Sequence, residues 1–179
     1  MANLGASSWP PFPLKSERLV LRASEASDRA TLIELFSSPE VGAYTGGGSD
    51  KSELAQDMPA VPGSRPGFFV VELGGRAIGI VTLDRLDREH RSAVWPDVGD
   101  IELGYLFLPH VWGQGFASEA CATALTWFDQ THHNEPVVAC AQVANPQSVR
   151  VAQKLEFTEV DRFEEFGVEQ WFGVRQPNV

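Results

Sequence analysis

Gly113 and Gly115 stand two positions apart in Pro109-His-Val-Trp-Gly-Gln-Gly-Phe-Ala-Ser-Glu-Ala120, after an alternating apolar stretch and before a run with helical spacing. Glycines at such a junction let successive backbone N–H groups turn toward one point with no Cβ in the way. The helix start adds the positive end of its dipole. A turn of this kind can cradle a phosphate or pyrophosphate. The same residues also make an ordinary tight turn with no ligand. A second segment, Asn145-Pro-Gln-Ser148, reads as a helix cap, with Asn at the N-cap and Pro at the first helical position. If Asn145 follows a parallel strand, its amide also points into the crevice where open α/β sheets bind ligands. Two other nucleotide devices are excluded. The chain has no GxxxxGK[ST]. A dinucleotide fingerprint needs glycine where Ser118 stands and an acid where Gln142 and Val143 stand.

These segments need elements to hold them. Glu17–Arg22 alternates like a strand. Residues 24–36 suit a helix capped by Ser27, with Ala30, Ile33 and Leu35/Phe36 facing inward. Pro39 ends it or opens a turn, and Tyr44–Ser49 reads as a flexible loop before a short helix near 49–57. Phe68–Glu72 and Arg76–Leu83 flank Gly74-Gly75, a hairpin signal. A long charged loop over 84–99 leads to a strand over 100–108. A helix over 115–130 carries Ala117, Ala120/Cys121, Ala124 and Phe128 on one face. The apolar strand 137–141 then lies parallel to its predecessor through this crossover. A helix over 145–155 and strands over 157–166 and 169–174 complete the chain. The expected fold is mixed α/β: a mostly antiparallel sheet with one parallel βαβ unit and helices on both faces. Proline-rich residues 1–13 read as a flexible N-terminal arm, and 14–179 as a single domain.

The 179 residues carry 24 acids against 14 bases, a net charge of −10, which argues against nucleic acid or an anionic membrane as partner. Cys121 and Cys140 form no CxxC and suit core thiols. The chain opens on no signal-peptide pattern, and no apolar run nears the ~18 residues that span a bilayer. A cytoplasmic protein is the expectation.

In this order and spacing, the two motifs resemble the GNAT superfamily of acetyl-CoA-dependent N-acetyltransferases, and within it the RimJ/RimL-like branch. The resemblance runs from about Leu14 to Val174 and is strongest over Asp100–Phe157. The branch pattern W-G-x-G-[YF]-[AM]-[ST]-E-A is matched from Trp112 to Ala120. Trp112 stands where the wider superfamily has Gln or Arg. The block N-P-x-S followed by K-x-G-F falls on Asn145, Pro146, Ser148, Lys154 and Phe157, with Glu156 in place of Gly. If Glu156 is left-handed, that costs about 1 kcal/mol. Leu14–Arg22 looks like the branch's first strand.

The resemblance implies a GNAT acyl-CoA N-acyltransferase fold with acetyl-CoA as co-substrate and no metal. Backbone amides from Gly113 through Gln114, Gly115 and Phe116 to Ala117 hold the pyrophosphate, beside Trp112 and Ser118. Main chain at Leu106, Phe107 and Leu108 aligns the pantetheine arm, and an N–H there faces the developing oxyanion. Asn145 holds the arm from the other wall. Glu102 is the first choice of base, with Glu72 and Asp100 behind it, although Glu102 equally suits a solvated strand face. Many relatives use a last-helix tyrosine to protonate the leaving thiolate; Ala152 stands there, so Ser148 is the candidate substitute. The acceptor is a small-molecule or peptide amine, shaped by Tyr44–Gly48 and by the loop over 84–99. Trp95 in that loop is a pocket wall or a surface residue. His132 and His133 read as surface groups, and relatives suggest a homodimer. A second class stays open: a non-catalytic acyl-CoA-binding or sensing module of the same fold.

Overall fold

In the computed structural model, the described residues are 4, 9, 13–86, 98–132 and 135–177. Trp95 and His133, both singled out above, lie outside them. The strands are β1 (Leu14–Lys15), β2 (Leu19–Arg22), β3 (Phe68–Leu73), β4 (Arg76–Arg85), β5 (Ile101–Phe107), β6 (Val137–Gln142), β7 (Thr158–Glu165) and β8 (Val168–Arg175). They form one sheet in the order β1-β2-β3-β4-β5-β6-β8-β7. Every neighbouring pair is antiparallel except β5 and β6.

The helices are α1 (Arg29–Ser37), α2 (Pro39–Gly42), α3 (Lys51–Asp57), α4 (Phe116–Thr131) and α5 (Pro146–Lys154). They lie on both faces of the sheet. The Trp127 ring of α4 meets Phe69 edge to face at 5.2 Å. On the pleat, Glu72 and Arg22 point the other way from Phe69. There Arg22 bonds Glu72 and, through two nitrogens, the carboxylate of Asp28 just before α1. Asp28 is 3% exposed. Burial raises its pKa, but the Arg22 guanidinium and the Glu25 N–H outweigh that and hold it below the ordinary aspartate range.

The helix after β2 differs from the reading of its sequence. Ser27 does not cap it: a 3-10 turn over Ala26–Asp28 comes first, and Asp28 accepts the Glu25 N–H at 2.8 Å. Leu32, Ile33 and Leu35 are the buried positions, while Ala30 is exposed. Leu32 and Leu35 have more apolar area to bury than Ala30, and they take the core face. The Tyr44–Ser49 loop is tied down by Gly47 N–H to Gly42 O and Ser49 N–H to Phe36 O.

Two residues of the expected arm belong to the core. Leu4 is buried, and Trp9 packs edge to face on Phe69 and Trp127. His132, expected at the surface, stacks on Phe128 and bonds its Nε2 to the Leu4 carbonyl at 2.8 Å. Apolar contact at single large side chains outweighs the local proline-rich composition there.

Candidate active site

β5 and β6 pair only at Ile101↔Val137 and Glu102↔Val138. Beyond that β5 stays on β4 as far as Phe107, and β6 stays on β8 as far as Gln142. The two strands therefore part and leave a crevice between Leu103–Phe107 and Ala139–Gln142. A cavity of about 610 Å³ opens at one end and one of about 300 Å³ at the other. Tyr44, Thr45, Tyr105, Leu106, Asn145 and Ser148 line both, so the two meet at a waist.

The larger cavity ends at the glycine turn. Gly113 and Gly115 have φ of 76° and 82°, and Gly115 is the N-cap of α4 with no side chain closing it. The first N–H groups of the helix thus face the cavity without a capping partner. A Cβ on Gly113 would meet nothing within 4 Å, which marks open space around the turn. The opposite wall carries Arg150 and Lys154, one turn apart on α5. An acidic chain thus keeps two cations beside its anion cradle, a feature its net charge hid. These donors fit the polyphosphate end of CoA.

The turn is held from behind. Trp112 Nε1 donates to Phe107 O at 2.7 Å, pinning the loop to the end of β5. Arg18 donates to Gln114 O at 3.1 Å and covers the Phe116 ring at 4.4 Å. Glu119, in the first turn of α4, accepts from Ser16 Oγ, Arg18 N–H and the Arg18 guanidinium. Burial pushes its carboxyl up, and these three donors outweigh it and hold Glu119 below the ordinary glutamate range.

Among the residues expected to bind the cofactor, Leu106, Phe107, Trp112, Gly113, Gly115, Phe116, Ala117, Ser118 and Asn145 line the larger cavity. Leu108 and Gln114 do not. Leu108 spends its N–H on Ile78 O at 2.9 Å, and the Gln114 side chain turns back to His110 O. Antiparallel bonding alternates, so Leu106 also faces β4 with its main chain. The main chain of Tyr105 and the N–H of Phe107 are the groups left to face the crevice. Phe107 O is taken by Trp112.

Tyr44, expected as a substrate residue, and Ser148, expected as a catalytic one, both line the waist. Glu102 lines neither cavity. It stands at the closed end of the crevice, two residues before Gly104 on the same sheet face, and Gly104 lines the smaller cavity. Glu72 is engaged with Arg22, and Asp100 lies 3.7 Å from Arg85.

Sequence reasoning missed Tyr105. It lines both cavities, and its hydroxyl is buried with no hydrogen-bond partner. Burial pushes the phenol up to about 12, with the neighbouring Ser148 hydroxyl pulling the other way. Asn145 caps α5 by accepting Ser148 N–H on Oδ1 at 3.2 Å, which turns its Nδ2 toward Ser148 Oγ at 3.0 Å.

The fold that carries this turn is shared with known proteins. The acetyltransferase (GNAT) domain family matches residues 18–158. The chain belongs to the GNAT acetyltransferase family. A curated relative, the uncharacterized protein YkkB of Bacillus subtilis (strain 168), is 27% identical over 149 residues, covering 79% of this chain and 83% of that one. The GNAT-family acetyltransferase of Bacillus anthracis superposes with a TM-score of 0.73 at 20% identity, covering 93% of this chain and 99% of that one. Spermidine N-acetyltransferase from Vibrio cholerae, solved with CoA and spermine, superposes at 0.70 with 22% identity, covering 90% and 97%. These likenesses bear out the mixed α/β GNAT fold. Among the described residues, no group of three or more His, Cys, Asp or Glu could hold a metal. No helix there is long and apolar enough to cross a membrane.

Proposed function

We propose that this GNAT protein is an N-acetyltransferase that moves acetyl from acetyl-CoA to a primary amine, either a small molecule or a protein α-amine. The observation that carries this reading is the two-ended crevice. The glycine turn, Arg150 and Lys154 stand at one end, and a second cavity opens past the waist. Acetyl-CoA supplies the activated acyl group as a thioester.

The chain's own residues supply position and proton handling. The turn N–H groups, Arg150 and Lys154 bind the phosphates. The main chain of Tyr105 and Phe107 orients the arm and leaves an N–H to face oxygen charge. The waist brings the two reactants together, which provides most of the acceleration for a reaction of this kind. Glu102 takes the amine proton through water, from the face that carries Gly104. Ser148 donates a proton toward the departing sulfur. The RimJ/RimL-like assignment rests on the match from Trp112 to Ala120 and on Asn145-Pro-Gln-Ser148.

The test is free-thiol release from acetyl-CoA by the purified protein across a panel of amines. Turnover on at least one amine supports the reading. Tight CoA binding with no turnover on any amine overturns it in favour of a binding or sensing module.

A further inference from the structure

The waist of the crevice holds three polar side chains from two elements: Tyr105 on β5, and Asn145 and Ser148 at the start of α5. Their hydrogen-bond bookkeeping leaves one group over. Ser148 N–H is a donor only, so the Asn145 oxygen must face it, and the Asn145 amide nitrogen must face Ser148 Oγ. Asn145 therefore donates to the serine hydroxyl and uses one of its two acceptor positions. A serine hydroxyl has one more acceptor position and a single proton.

The Tyr105 hydroxyl lies beside this serine, buried and without a partner. A buried hydroxyl with no bond is costly, and a phenylalanine would pack the same site without that cost. The ring sits on the face of α4, near the buried Cys121, whose thiol burial keeps protonated. Asn145 is already committed, so the neighbour left to receive the tyrosine proton is Ser148. With burial holding the phenol near 12, Tyr105 stays a donor throughout the neutral range.

From this geometry we infer that Tyr105 is a positioning residue for the acetyl transfer: its hydroxyl, unpartnered in the free protein, donates to the second acceptor position of Ser148 when acetyl-CoA fills the waist, and so aims the serine proton at the sulfur that must leave. With both acceptor positions of the serine taken, its proton has no direction left but the open crevice. When the carbon–sulfur bond breaks, the electron pair goes to sulfur and the proton comes from Ser148 Oγ. The serine recovers a proton from water through the open crevice. Tyr105 keeps its own proton throughout. This inference rests on the acetyltransfer reading above.

Tyr105→Phe and Ser148→Ala, alone and combined, decide it. Tyr105→Phe removes one oxygen and keeps the ring. The expected result is a kcat about tenfold lower, the size of one lost hydrogen bond to a group under developing charge, with KM for acetyl-CoA unchanged. Without ligand, the melting temperature should stay level or rise, because the hydroxyl has no partner in the free protein. In the Ser148→Ala background, Tyr105→Phe should change kcat by less than about twofold, since a residue acting through the serine has nothing left to act on. A wild-type kcat in Tyr105→Phe overturns the inference. So does an equal loss in the Ser148→Ala background, or a lowered melting temperature of the ligand-free protein.

A binding measurement separates this from the function itself. Calorimetry at pH 9, where a good share of an ordinary thiol is ionised, compares CoA with desulfo-CoA. The wild type should prefer the sulfur compound, and both single variants should lose that preference. A preference unchanged in Tyr105→Phe refutes the inference even if no amine is ever acetylated. If the preference behaves as expected and no amine turns over, the acetyltransfer reading falls and the aimed serine proton stands.

Discussion

Trp112 donates its indole N–H to the carbonyl oxygen of Phe107 at 2.7 Å, and that bond joins the glycine turn to the lip of the crevice. Phe107 closes β5, and Trp112 opens the glycine turn. The bond removes the Phe107 carbonyl from the crevice, so the N–H groups nearby face any ligand without a competing acceptor. A half-exposed tryptophan therefore has a polar task as well as a packing one. Trp112→Phe keeps a ring and loses the donor. The expected outcome is CoA affinity about fivefold to tenfold weaker and a melting temperature lower by about 2–4 °C, the size of one hydrogen bond of about 1 kcal/mol in a chain of this length. Calorimetry and a thermal melt check it; wild-type affinity would refute the coupling.

Gly115→Asp should weaken CoA binding about a hundredfold or more, because a carboxylate enters the space that the α4 N-terminus offers to phosphate. The fold should survive. A Cβ there meets only the Arg18 guanidinium at 3.6 Å, and Asp tolerates a φ of 82° better than most residues. Gly115→Asn separates the two effects, since it fills the same space without charge. Equal losses for Asp and Asn would remove the electrostatic part of the argument.

Glu156 has a φ of 66°, the left-handed conformation that its family position reserves for glycine. The strain is the cost of ending α5 so that Phe157 can return to the core, where it is 3% exposed. Glu156→Gly should raise stability by about 1 kcal/mol, or about 2–4 °C in melting temperature. Glycine's extra freedom in the unfolded chain trims that gain. A lower melting temperature would mean that the Glu156 side chain contributes more than its backbone loses.

The glycine turn and the Asn145 cap were legible because each rests on a local rule: backbone freedom at Gly113 and Gly115, and the cap preference of Asn before Pro. The strand alternation was legible for the same reason. What was not legible depends on register. Whether Leu106 or Phe107 turns its main chain toward the crevice is decided by which residues of β5 bond to β4, and Leu108 N–H on Ile78 O settles it. Tyr105 meets Ser148, 43 positions later in the chain, only because β5 and β6 part where they do. Leu4 and Trp9 reached the core through contacts with α4 that no local pattern in residues 1–13 announces.

Glu119 should make stability pH-dependent in a defined direction. Its folded pKa lies below the ordinary glutamate value. Its contribution is therefore fully present above about pH 4.3 and is lost as pH falls through the lower folded value. Glu119→Gln should melt below the wild type at pH 7, and the gap should close on acidification below about pH 4. Arg18 is 42% exposed on its side chain, so salt should also narrow the gap at neutral pH. A gap of constant size from pH 7 to pH 3 would rule out the charge on Glu119 as its origin.

Glu102 stands at the closed end of the crevice, where β5 still pairs with β6, and Gly104 two residues on lines the smaller cavity. A carboxylate so placed can reach an amine only through water, which suffices for general base work. Glu102→Gln should then leave CoA affinity within about twofold while lowering kcat, because the cradle at Gly113–Ala117 lies at the far end of the crevice. The loss should be greatest near neutral pH and shrink as rising pH deprotonates more of the amine in solution. The pH dependence of kcat/KM measures this directly. A profile for Glu102→Gln that overlays the wild type in shape and height would take the base role away from Glu102 and leave it to water alone.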